Sequence, residues 1–148
     1  MAGNPLVVQG TLNRLIGSVT IPDFPQLTVT APFLGKAGIS LALEGETTNY
    51  FPTMTGAVTS LEPYQMCSVT IPLLKTQNLA NLFKQRMELS ALLGDITVKP
   101  DTLVLGTYPI INSSIESVRE LSFGGQAPEW VAVLKGYYNI NSTMWNLQ

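Results

Sequence analysis

The sequence predicts a mainly β fold, a β-sandwich or barrel with one amphipathic α-helix at about residues 77–93, in a single domain spanning 1–148. Three observations lead there. Short runs rich in Val, Ile and Thr alternate apolar and polar residues along most of the chain. Proline and glycine punctuate those runs at regular spacing, as in sandwiches and barrels. One segment abandons the two-residue period for that of a helix. At 148 residues the chain can bury one core without a disulfide or metal staple, and it is too short for two comfortable domains.

The strand-like runs fall at about 12–21, 26–31, 38–44, 53–60, 65–71, 95–99, 108–118 and 130–140. In the third, Ile39, Leu41 and Leu43 share one face, with Ser40, Ala42 and Glu44 on the other. In the last, Trp130, Ala132 and Leu134 alternate with Val131 and Val133, so that strand is apolar on both faces. Pro22, Pro25, Pro52, Pro63, Pro100, Pro109 and Pro128, with Gly124-Gly125, are expected to mark turns.

The pentapeptide SVTIP occurs at 18–22 and again at 68–72. Neither its upstream nor its downstream neighbours match, and no third copy follows, so it is not a structural repeat. Each copy reads as a half-buried strand that a proline, having no N–H to donate, is expected to end.

The helical segment TQNLANLFKQRMELSALLGD places Leu79, Leu82, Phe83, Met87 and Leu93 at helical spacing, mostly opposite Asn81, Lys84, Gln85 and Glu88. It has no β-branched residue between Gln77 and Leu93. Thr76 is expected to cap its start and Gly94 to take the left-handed conformation at its end.

Composition narrows the function. Charged residues make up 12% of the chain, about half the usual share, which leaves neutral surface of the kind that partners cover. The net charge of −2 argues against a dedicated nucleic-acid binder. With no histidine and the single cysteine Cys67, the commonest general base and the usual metal-ligand sets are missing. Gly35-Lys36 lacks the glycine spacing and the Ser/Thr of a phosphate loop. The carboxylates Glu44 and Glu46 read as a solvated loop rather than a glycosidase pair. Cys67 reads as a core residue. The sequons at Asn112 and Asn141 have no bearing without secretion, and the N-terminus carries neither signal peptide nor membrane span, so a soluble, cytoplasmically folded protein is expected. Tyr137, Tyr138 and Trp145 leave a ligand-stacking surface open as an alternative. No catalytic residue, cofactor or metal is expected.

The stretches NPLVVQGTLNRL (4–15), GISLALEGE (38–46), MTGAVTSLEPYQM (54–66), LLKTQNLANLFKQRM (73–87) and GYYNINSTMWNL (136–147) resemble, in the same order, a tail tube protein of contractile-tailed bacteriophages. That family is related in fold to the inner-tube proteins of contractile secretion systems. The resemblance implies a non-enzymatic virion subunit, assembled in the host cytoplasm into stacked homohexameric rings. The rings form a hollow conduit for ejection of double-stranded DNA, which passes without specific binding. Tail sheath, baseplate and tape-measure proteins are the implied partners, with no membrane insertion. An inner tube of a secretion or bacteriocin-like device is the alternative, and a β-sandwich ligand-binding module a more distant one.

Assembly is expected to fall on the segment 45–63, as an extended hairpin or loop contacting the next ring, and on the termini 1–10 and 139–148. Thr47, Tyr50, Phe51, Met54, Leu6 and Trp145 are the expected inter-ring contacts. Glu44, Glu46, Glu62 and Glu116, in or beside strands, are the candidates to face the lumen, where negative charge would repel DNA phosphates.

Overall fold

The computed structural model describes residues 16–101, 105–119 and 128–143, without the side chain of Ala31. The fold is mainly β with one helix. Its principal sheet has six antiparallel strands: β1 (Gly17–Thr20), β2 (Ser40–Leu43), β5 (Tyr64–Leu74), β6 (Leu92–Pro100), β7 (Tyr108–Arg119) and β8 (Glu129–Asn139). They lie in the order β1-β6-β7-β8-β5-β2 and curl into a half-barrel. A separate two-stranded hairpin comprises β3 (Thr48–Thr53) and β4 (Gly56–Leu61), and the helix α1 spans Asn78–Leu89.

Alternation along each strand makes the core. Val19, Val69, Ile71, Leu73, Ile96, Ile110, Ile115, Ala132 and Leu134 project to one side of the sheet and are buried in a single cluster. Leu79 and Phe83 of α1 enter that cluster, so the helix covers the concave side. Cys67, on β5, is fully buried there. Burial, and secondarily the Glu44 carboxylate, raise its thiol above the ordinary value of 9.0. The native state therefore holds this proton more tightly than the unfolded chain, so stability is unaffected by Cys67 at neutral pH and falls as pH rises past the unfolded value. Native protein should be inert to a thiol reagent at pH 8 and react fully once unfolded. In denaturant titrations, Cys67→Ala should lack part of the alkaline decline; matching slopes for the two proteins would overturn the assignment.

The open side of the half-barrel is closed by irregular chain. The amides of Val19 and Val29 donate to each other's carbonyls at 3.0 and 2.8 Å. Leu34 then bridges Leu73, and the Gly35 amide donates to the Pro72 carbonyl at 2.8 Å. Residues 29–35 thus carry the chain from the β1 edge to the β5 edge, and each edge gains backbone partners.

Here the expected strand 26–31 is corrected. Pro25–Leu27 and Ala31–Phe33 form short 3-10 turns on either side of the bridging Val29. Prolines at 25 and 32 lock φ and withhold N–H groups, which favours short turns over a ladder.

The second SVTIP is also corrected. β5 runs through Pro72 to Leu74, with Pro72 paired to Val131 of β8. In an antiparallel strand a residue's N and C=O point the same way. Because the Pro72 carbonyl faces Gly35, its missing N–H lies on that side too, beyond the end of β2 and away from the ladder with β8. In the first copy β1 ends at Thr20, two residues before Pro22. Pro52, Pro100 and Pro109 likewise lie within strands rather than in turns.

The helix is shorter than expected, 12 residues against 77–93, and ends at Leu89. Its N-cap is Gln77 without a side-chain cap, so Thr76 does not serve. Ser90 turns extended at φ −165°, and Leu93 belongs to β6. The left-handed conformation expected of Gly94 is present at φ +79°, but inside a β-bulge opposite Ser113, whose hydroxyl donates to the Gly94 carbonyl at 2.6 Å. Asp23 also approaches Gly94 so closely that a Cβ there would lie 2.1 Å from its carboxylate.

Candidate functional site: the projecting hairpin and its root

The segment 45–63 is a hairpin. Its register runs from Thr48↔Leu61 to Thr53↔Gly56, with Met54-Thr55 at the tip. Where one strand was expected at 53–60, there are two. Outside their mutual pairing, β3 and β4 make no substantial contact with any other strand or helix among the described residues. Tyr50 is 66% and Phe51 58% exposed, Met54 is fully exposed, and Val58 joins them. Residues 47–61 include no charged side chain. A two-stranded ribbon is marginal on its own, and one with this much exposed apolar surface marks a contact surface.

The root is held by a polar knot that sequence reasoning missed. Asn141, just past the end of β8, donates its side-chain amide to the Thr47 carbonyl at 3.0 Å and to the Glu62 carbonyl at 2.9 Å. The Glu62 amide donates to the Thr47 carbonyl at 3.1 Å, and the Asn49 side chain donates to the Glu62 carboxylate. Buried Gln65 donates to the Gly45 carbonyl at 3.0 Å, and the Ile140 amide to the Pro63 carbonyl at 3.1 Å. The only local signal was an asparagine after a strand, which tolerates positive φ; Asn141 sits at +50°.

Asn141→Ala should cost about 1–3 kcal/mol for its two hydrogen bonds. Hydrogen exchange at hairpin amides should quicken. Asn141→Gly, which accepts the same backbone angle, should also speed exchange; wild-type rates in that variant would show that the residue serves only its backbone conformation.

The expected contact residues divide. Tyr50, Phe51 and Met54 lie on the hairpin and Thr47 at its root, whereas Leu6 and Trp145 lie outside the described residues. The four carboxylates do not form one cluster. Glu44, after β2, pairs with Lys135 of β8 at 3.2 Å. That hydrogen bond, with the charges of Glu44 and then Glu116, holds the Lys135 ammonium protonated to higher pH than usual. Glu62 is half-buried in the hairpin root. Glu46 and Glu116 are exposed and form no ion pair among the described residues.

The sheet face turned away from the core mixes small polar residues with apolar ones such as Met66, Val131, Val133 and Tyr137. It includes the pairs Ser18↔Lys99, Thr20↔Thr97 and Ser40↔Thr70, and the row Ser114–Lys135–Ser68–Ala42 across four strands. The tyrosines of the C-terminal strand do not form one stacking platform. Tyr137 meets Tyr64 edge-on at 5.6 Å, while its neighbour Tyr138 points to the opposite face and packs near Tyr108 at 5.7 Å.

Among the described residues no group of three or more His, Cys, Asp or Glu side chains could hold a metal, and no helix is long and apolar enough to cross a membrane. No protein-family model matches this chain, and no curated protein matches it.

Proposed function

We propose that this protein is a structural, self-assembling, non-enzymatic subunit of a phage tail tube, forming stacked hexameric rings around a channel for double-stranded DNA. The observation that carries the reading is the projecting hairpin, uncharged and apolar at its tip, which makes no substantial contact with another strand or helix among the described residues. The low charge content of the chain agrees with a surface covered by other copies. The number of copies, the DNA cargo, and the sheath, baseplate and tape-measure partners rest on the sequence resemblance.

In this reading the hydroxyl-bearing part of the sheet face turned away from the core is the one suited to line a channel. Its hydroxyls offer few strong phosphate contacts and Lys135 is neutralised by Glu44, which leaves Lys99 as the exposed cation paired beside Ser18 on that face. Glu46 and Glu116 are the carboxylates left to repel a phosphate backbone. An inner tube of a contractile secretion or bacteriocin-like device would use the same surfaces, and neighbouring genes for sheath, tape measure and baseplate would separate the two. A ligand-binding module is disfavoured by the division of Tyr137 and Tyr138 between faces.

Negative-stain microscopy of the purified chain tests the proposal. Six-fold rings or hollow tubes are the expected result; a monomer that persists at high concentration would overturn it.

A further inference from the structure

A groove of ≈ 470 Å³ runs between α1 and the far ends of β7 and β8, lined by Ala80, Asn81, Lys84, Met87, Val118 and Trp130 among others. We propose that the hairpin tip of a second copy of this chain seats in this groove, making a head-to-tail contact. The inference rests on the stacked-ring reading and names the surface that receives the hairpin.

Position is the first argument. The hairpin springs from the end of the sheet where Tyr64 of β5 meets Asn139 of β8. The groove lies at the other end, where Leu73 meets Trp130. Over strands of 11 residues the two ends are roughly 30 Å apart. A knob and a hole at opposite ends of one molecule are complementary between copies related by translation along the strands. Such a contact is heterologous and builds an open stack instead of closing into a dimer.

Charge is the second. The hairpin from 47 to 61 is uncharged, and the groove's own charges, Lys84 and Glu88, are joined to each other at 2.6 Å. Neither surface brings an unpaired charge into the contact, the condition under which burial is favourable. Phe51 and Met54 match an apolar floor that includes Met87 and Val118.

Cross-linking tests this on the full-length chain. Native Cys67 is buried and should stay silent. Under mild oxidation with copper phenanthroline, Met54→Cys combined with Met87→Cys should give an intermolecular disulfide ladder about tenfold stronger than either single variant, since a disulfide needs Cα atoms within about 7 Å. Stacks visible in micrographs without that excess would overturn the groove assignment and leave the tube reading standing. Absence of any assembly in the wild-type chain would overturn both. Asn81→Trp, an exposed position on the groove wall, should leave rings intact while shortening stacks about tenfold; stacks of normal length would also overturn the proposal.

Discussion

A variant in which Tyr50–Thr59 is replaced by Asn-Gly should fold normally and form rings that no longer stack. The replacement keeps the Asn49↔Ser60 pair and closes it with a two-residue turn of the favoured hairpin type. It also keeps Asn141, Thr47, Gln65 and Glu62 in the root knot. What it removes makes no substantial contact with another strand or helix among the described residues, so stability should change by no more than about 1 kcal/mol. What it loses for assembly is Tyr50, Phe51, Met54 and Val58 together. Tube length in micrographs, beside a thermal unfolding curve, checks both halves. Tubes of normal length would remove the inter-ring role of the hairpin. A collapse in stability would show that the hairpin supports its own subunit after all.

Phe83→Ala should have the largest effect on stability of any single change to the helix, about 3–5 kcal/mol. Phe83 is fully buried in the same cluster as Leu27, Ile71 and Leu79, and fixes α1 against the sheet. Total stabilities of domains are about 5–15 kcal/mol, so the variant should be close to unfolded at growth temperature. Met87→Ala, four residues along the same apolar stripe but at an exposed position, makes the control. Met87 is exposed on the groove side, and its loss should cost under about 1 kcal/mol. Urea titrations followed by circular dichroism compare the two. Equal midpoints would mean that the helix is not anchored through Phe83.

Several features of this molecule are written in its local side-chain order. Alternation in 65–71, 108–118 and 130–140 placed three central strands within a few residues, because period-2 burial is written directly into side-chain order. The period of the helix placed Leu79 and Phe83 in the core for the same reason. The burial of Cys67 and the special backbone angle of Gly94 were also legible, each from one residue and its neighbours.

The helix end shows where such reading stops. Ser90 to Leu93 is as compatible with helix as the residues before it, with no β-branched side chain. Pairing decides otherwise: Ile115 donates its amide to the Ala91 carbonyl at 2.8 Å, and Leu92 enters the ladder opposite Ser114. Arg86 secures the corner by donating to the Leu92 carbonyl at 2.9 Å and lying 3.9 Å above the Phe24 ring. Ile115, Ser114 and Phe24 come from distant parts of the chain, beyond the span over which propensity acts.

The fate of the proline in the second SVTIP depended in the same way on what lay beside its nitrogen. At Pro72 that neighbour is the end of an edge, so the strand could continue. The hairpin root and the groove at the far end of the sheet are likewise assembled from separated segments, Asn141 with Thr47 and Trp130 with Met87. Side-chain order alone determined the mainly β pattern, the burial of the central strands and of Leu79 and Phe83, and the low share of charge. Only the tertiary structure decided where strands end, what closes the half-barrel, and which surfaces stand at its two ends. Local order sets the periodicity of a side-chain pattern, whereas pairing between distant segments sets its limits.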